Sequence, residues 1–149
     1  VHGLGGKAML EAASNIASRS KSSPKLVAVT TLTSLSDKDL NEIGLFRSIS
    51  DQAISLGSLA LSSGIDGLVT SAFEAKVLRD KFPTSLLVTP GIRLQNDSVN
   101  DQKRVATPEF ALSQGATHLV VGRSILKSNN PSVVVDKILR DIQQDKLNG

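Results

Sequence analysis

The chain contains no cysteine, tryptophan or tyrosine, and among its 149 residues there are only four phenylalanines, one methionine and two histidines. Without cysteine there is no disulfide and no thiolate metal site, as suits a reducing cytoplasm. Without Trp or Tyr, the stacking platforms that single-stranded nucleic acid uses are missing. The Lys and Arg residues are scattered rather than gathered into a stripe, so nucleic acid is not the expected partner of a net charge of +3. No apolar run approaches the roughly 18 residues of a membrane span, and the first residues carry no signal-peptide pattern. His2 and His118 have neither a carboxylate nor a second histidine at ligand spacing, so no metal site is expected. The remaining use for scattered positive charge is a small anion held by one or two arginines.

Hydrophobic residues make up 40% of the chain, as in ordinary globular proteins. Lys7–Arg19 reads as a helix with Met9, Ala12, Ala13 and Ile16 on one face. Leu26–Leu32 is almost wholly apolar or β-branched, the pattern of a strand buried on both faces. Ser36 with Asp39 forms a capping box for a short helix. Ser50–Ser62 is a second helical stretch, ended by Gly64, and Asp66-Gly67 turns the chain into the strand Leu68–Thr70. Helix Ala72–Phe82 and strand Leu86–Thr89 follow. Thr107 caps a helix with Pro108 in its first position. His118–Val121 reads as a strand, and Asn130-Pro131 opens a last helix expected to bury Val134, Val135, Ile138 and Ile142. Alternating strands and helices imply a parallel sheet with helices outside it. Two architectures fit: an open doubly wound sheet, or part of a (β/α)8 barrel. A complete barrel needs about 200 residues or more, and the sequence supplies five βα units, the first reduced to a stub at Val1-His2. The absent initiator Met and that stub lead to the expectation that residues 1–149 are the C-terminal part of a single barrel domain, with roughly three units missing from its front.

Gly3-Leu4-Gly5-Gly6-Lys7-Ala8 fits the dinucleotide pattern G-x-G-x-x-A, but the next strand ends in Thr33-Ser34, without the acid that would hold a ribose. A tight turn is the simpler use of these glycines. Pro90-Gly91-Ile92-Arg93 and Gly122-Arg123 carry more weight, since they follow consecutive strands. Glycine lets backbone N–H groups approach a dianion, and arginine adds a bidentate, charge-assisted contact. One Gly-Arg turn is weak evidence, because a surface ion pair explains it equally well. Two in successive loops, where barrels place their phosphate site, point to phosphate. The connection Leu94–Arg104 exceeds the usual length of about 2–6 residues and reads as a lid carrying Gln102. Thr33 stands where its strand should end, on the side where barrel sites are built.

These residues together resemble the bacterial branch of orotidine 5′-monophosphate decarboxylase. The likeness runs in order through Val1-His2-Gly3-Leu4-Gly5-Gly6, Ala28–Ser34, Asp66–Ala72 with Glu74, Val88–Arg93, Asp101-Gln102 with Arg104, Thr107-Pro108-Glu109 and Val121–Ile125. The resemblance implies a cytoplasmic, homodimeric TIM barrel. Such an enzyme converts orotidine 5′-monophosphate to uridine 5′-monophosphate in de novo pyrimidine biosynthesis, without metal or cofactor. It further implies that Arg123 binds the phosphate beside Gly122, with Arg93 at the phosphate loop. Gln102 would bridge phosphate and pyrimidine from the lid, Thr33 would contact the pyrimidine amide, and Pro90 would wall the pocket.

The family's chemistry also calls on an Asp-x-Lys-x-x-Asp element, and here the sequence departs from the pattern. The nearest match, Asp101–Ala106, ends in alanine and lies in the lid. No catalytic residue is therefore assigned in this chain, and by itself it is expected to be inactive and poorly soluble. The alternatives are a phosphate-binding relative on the same barrel, of the hexulose-phosphate synthase or ketogulonate-phosphate decarboxylase type, or an inactive half-barrel.

Overall fold

The computed structural model describes residues 1–94 and 105–148. Eleven elements follow a short 3-10 turn at Gly3–Gly5: α1 (Gly6–Arg19), β1 (Val27–Val29), α2 (Asp37–Glu42), α3 (Ile49–Ser62), β2 (Gly67–Val69), α4 (Ala72–Lys81), β3 (Leu86–Thr89), α5 (Pro108–Ser113), β4 (His118–Leu119), α6 (Arg123–Leu126) and α7 (Pro131–Asn148). The strands form one parallel sheet in the order β1-β2-β3-β4. The expected stub at Val1-His2 extends it beyond β1: His2 makes a parallel bridge to Val29, and the Val1 carbonyl accepts the Val29 N–H at 3.0 Å.

Several expected elements form for local reasons. Ser36 and Asp39 close their capping box at α2, and Thr107 caps α5 with Pro108 in the first turn. Gly64 and Gly115 end α3 and α5 in the left-handed region, at φ 83° and 93°. Asp66 uses both carboxylate oxygens at the entry to β2, accepting the Leu26 N–H at 2.9 Å and the Lys25 ammonium at 2.7 Å. Those contacts, the lysine first, hold its pKa below 3.8. Next to it, Gly67 lies so close to β3 that a Cβ would stand 2.5 Å from both the Leu86 Cβ and its carbonyl oxygen.

The core lies between the sheet and one layer of helices. Ala28, Leu68 and Leu87 face each other in register and are fully buried against Leu10, Ala53, Ala60, Ala75 and Leu78. Their neighbours Val29, Val69 and Val88 are only half-buried. Among the described residues the helices cover one face of the sheet, the face that Ala28, Leu68 and Leu87 share. The strand expected over Leu26–Leu32 stops at Val29. Thr30 still bonds the Val69 carbonyl through its N–H and hydroxyl, but Leu32 is 49% exposed.

Two helix faces differ from expectation. In α1 the buried residue is Leu10, and Ile16 is 71% exposed. Ser14 donates to the Gly64 carbonyl at 2.9 Å, which turns the Leu10 face toward α3. In α7 Ile138 is buried, while Val135 is 36% exposed and Val134 and Ile142 are half-buried. The strand expected over His118–Val121 ends at Leu119, and α6 was not anticipated. Among the described residues, no helix is long and apolar enough to cross a membrane.

Candidate functional site

Because every strand pairing is parallel, the C-terminal ends of β1–β4 share one edge of the sheet. In α/β folds of this kind that edge carries the ligand, since loops there are free to vary while the strands hold them in place. Four of the expected site residues follow the adjacent strands β3 and β4, and a fifth follows β1.

Pro90 leaves β3 half-buried, and Gly91 then turns the chain in the left-handed region at φ 81°. Ile92 is fully buried and bridges to Ala106. The Arg93 N–H donates to the Ala106 carbonyl at 2.9 Å, and the Ala106 N–H to the Gly91 carbonyl at 3.2 Å. The long connection is therefore pinned at its base. Arg93 is only 7% exposed, and its Nη1 donates to the Ile92 carbonyl at 2.8 Å. A buried guanidinium demands polar partners, so Arg93 braces this base as well as charging it. Gln102, and most of the connection expected to act as a lid, lie outside the described residues.

On the next strand, Gly122 precedes α6 and Arg123 is its first residue. Around Gly122 a Cβ would meet nothing within 4 Å, so its backbone faces open space. Its carbonyl accepts the N–H groups of Ile125 and Leu126, both at 3.0 Å. Barrels commonly build a phosphate site from the last two strand loops and a short extra helix, and α6 has the place and length of that helix. Arg123 is half-buried here, as is Thr33, which lies beyond β1 on the same edge. The structure thus brings Gly91, Arg93, Gly122 and Arg123 onto neighbouring strand ends, with Thr33 two strands away from β3.

Two features of this edge escaped the sequence reading. Ser71 caps α4, accepting the Phe73 N–H at 3.2 Å and donating to the buried Glu74. The spacing Ser71-x-x-Glu74 is a capping-box signature that could have been read directly. The hydroxyls of Thr70 and Thr89 are buried without a hydrogen-bond partner, as is that of Ser124 in α6. No sequence signal marks these. Both histidines make local structural contacts. His2 accepts the Leu4 N–H at 3.4 Å, and His118 shares a 2.9 Å hydrogen bond with Thr117.

The comparisons with known proteins follow the same geometry. The family profile described as "Orotidine 5'-phosphate decarboxylase / HUMPS family" matches residues 1–138. A protein of Idiomarina loihiensis named orotidine 5'-phosphate decarboxylase is 45% identical over 143 residues, covering 95% of this chain and 62% of its own length. One of the same name from Hydrogenovibrio crunogenus is 46% identical over 139 residues, covering 93% and 59%. A crystal structure of orotidine 5'-phosphate decarboxylase from Lactobacillus acidophilus superposes with TM-score 0.78 at 38% identity, over 94% of this chain and 60% of that one. The chain therefore spans about three fifths of the length of these relatives. Of the two expected architectures, the neighbours select the barrel: the four-stranded sheet is part of a (β/α)8 barrel, not an open doubly wound sheet.

Proposed function

Because the chain belongs to the orotidine 5′-phosphate decarboxylase / HUMPS family, we propose that it forms the phosphate- and pyrimidine-binding portion of a cytoplasmic, homodimeric enzyme. That enzyme converts orotidine 5′-monophosphate to uridine 5′-monophosphate in de novo pyrimidine biosynthesis. The observation that carries the reading is the pair of Gly/Arg turns on the adjacent ends of β3 and β4, with Arg123 opening α6. In this reading Gly122 and Arg123 receive the phosphate, and Arg93 adds positive charge from the base of the β3 loop. Pro90 walls the pocket, Thr33 meets the pyrimidine amide, and Gln102 bridges pyrimidine and phosphate. No metal or cofactor enters the proposed reaction.

Phosphate is remote from the bond that breaks, so gripping it does not itself cleave carbon from carbon. Its binding energy contributes by positioning the base and by supporting loop closure over it. The proton that replaces CO2 on the pyrimidine needs a general acid. This sequence has no Asp-x-Lys-x-x-Asp element to supply one, so residues 1–149 alone should bind nucleotide without turning it over. The relatives' shared name favours orotidine 5′-monophosphate over the sugar phosphates of the HUMPS branch.

Calorimetric titration with uridine 5′-monophosphate and with uridine tests the site. The nucleotide should bind and the nucleoside should bind far more weakly. Arg123→Ala should lower nucleotide affinity by about 10- to 150-fold, since a hydrogen bond to a charged group contributes about 1.5–3 kcal/mol. Equal affinity of wild type and variant would remove Arg123 from the phosphate site.

A further inference from the structure

Asp66-Gly67 is the one Asp-Gly pair in the chain. Aspartate before glycine is the pairing most open to attack by the main chain on its own side chain, because glycine leaves its nitrogen unshielded and reaches the reacting geometry without a steric cost. In that step the Gly67 nitrogen bonds to Asp66 Cγ, the N–H proton and the carboxyl hydroxyl depart as water, and a five-membered succinimide closes. Water then opens the ring at one of its two carbonyls. One opening restores aspartate. The other routes the main chain through Cβ and Cγ, which is isoaspartate. The sequence of steps needs no reagent beyond water. In the folded chain, however, each group it uses is engaged. The Gly67 N–H donates to the Leu26 carbonyl at 3.1 Å, so closing the ring would remove the hydrogen that Leu26 accepts. The Asp66 carboxylate accepts the Lys25 ammonium on Oδ1 at 2.7 Å and the Leu26 N–H on Oδ2 at 2.9 Å. Both contacts favour the ionised form, and an ionised carboxylate is a poor leaving group.

We propose that Asp66-Gly67 is a spontaneous modification site that folding holds closed: it isomerises in the unfolded chain, and the isoaspartyl product cannot rebuild the sheet. The second half follows from the packing at the entry to β2. The Asp66 N–H donates to the Leu26 carbonyl at 3.0 Å, and the Asp66 carbonyl accepts the Leu86 N–H at 3.3 Å. Gly67 stands in register with Val27 on one side and Leu86 on the other. Isoaspartate inserts one extra carbon into the main chain between these fixed points, where Gly67 has no room for even a Cβ beside Leu86. It also replaces the side chain that bonded Lys25 and Leu26 with a shorter carboxylate. The enzyme class that fits the product is a carboxyl methyltransferase, which transfers a methyl group from S-adenosylmethionine to that carboxylate. Asp66 lies at the start of β2, at the opposite end of the sheet from the Gly/Arg loops, so the modification is independent of what those loops bind.

The test holds the full 149-residue chain at mildly acidic pH over a series of guanidinium chloride concentrations, with circular dichroism reporting the folded fraction. Isoaspartate is scored by methyl transfer from labelled S-adenosylmethionine and located by peptide mapping, which separates Asp66-Gly67 from Asn148-Gly149. Isomerisation at Asp66 should follow the unfolded fraction and run about tenfold or more faster in full denaturant than in buffer, since the reaction waits on opening of the β2 entry. After dilution from denaturant, the isoaspartyl chain, separated by chromatography, should fail to regain the native spectrum that the unmodified chain regains. The proposal is overturned if Asp66 isomerises as fast in the folded chain as in the denatured one, if it stays intact in both, or if the isoaspartyl chain refolds with the stability of the unmodified one.

Discussion

Arg79 should support the fold that carries the site without touching phosphate, and replacing it separates these two uses of arginine. Its guanidinium joins three parts of the chain. Nε and Nη2 donate to the Gly115 carbonyl at 3.1 and 2.9 Å, and Nη1 donates to the carbonyls of Pro83 at 2.7 Å and Ser85 at 3.0 Å. Its stem also packs on Gly115, where a Cβ would stand 2.8 Å from the Arg79 Cγ. These carbonyls belong to the turn into β3 and the turn into β4, so one side chain fixes the start of both strands that lead to the Gly/Arg loops. Arg79→Met keeps the stem and deletes every donor. Charged hydrogen bonds contribute about 1.5–3 kcal/mol each, but Arg79 is partly exposed and water can reach some of the freed carbonyls. The loss should therefore be about 2–4 kcal/mol rather than the sum of the individual bonds, or on the order of 5–15 °C in Tm. Urea melts of wild type and variant measure the first figure and thermal scans the second. Nucleotide affinity, measured well below both melting points, should be unchanged. A stability loss below about 0.5 kcal/mol would mean that water satisfies the carbonyls as well as the guanidinium does. A fall in affinity with the fold intact would place Arg79 in the site.

Gly67→Ala should destabilise by about 3 kcal/mol or more, beyond ordinary overpacking, because its Cβ would meet a backbone oxygen at 2.5 Å; a urea midpoint within error of wild type would refute this. Asp66 has its pKa lowered from 3.8 by Lys25 and the Leu26 N–H, so the stability it contributes is present above pH 3.8 and fades as pH falls through the lower folded value. The gap between wild type and Asp66→Asn should accordingly be full at neutral pH and narrow below about pH 4; a gap that widens on acidification would contradict the sign. The 149-residue chain alone should show no decarboxylation of orotidine 5′-monophosphate by ultraviolet assay, and turnover there would place the proton donor within this sequence.

What the sequence determined by itself is what its neighbours along the chain decide. Ser36 with Asp39, and Thr107 with Pro108, specify helix starts because a capping hydrogen bond spans only three residues. Gly64, Gly91 and Gly115 mark turns because glycine enters the left-handed region without a steric cost. The alternation of elements was legible too, and so were the two Gly/Arg turns and their likeness to a phosphate-binding barrel family. Tertiary structure alone decided which faces are buried. Ile16 looked like a core residue of α1, yet Leu10 took that place, because facing depends on what packs across from a helix and not on its own periodicity. Gly67 could be understood only once β3 lay against it. Arg79 reaches a carbonyl 36 positions away, and no local pattern encodes a contact that chain reversal through β3 and α5 must first create. Likewise, Gly91 and Gly122 are 31 residues apart in sequence, 122 minus 91, and become one candidate site only because β3 and β4 pair side by side and in parallel.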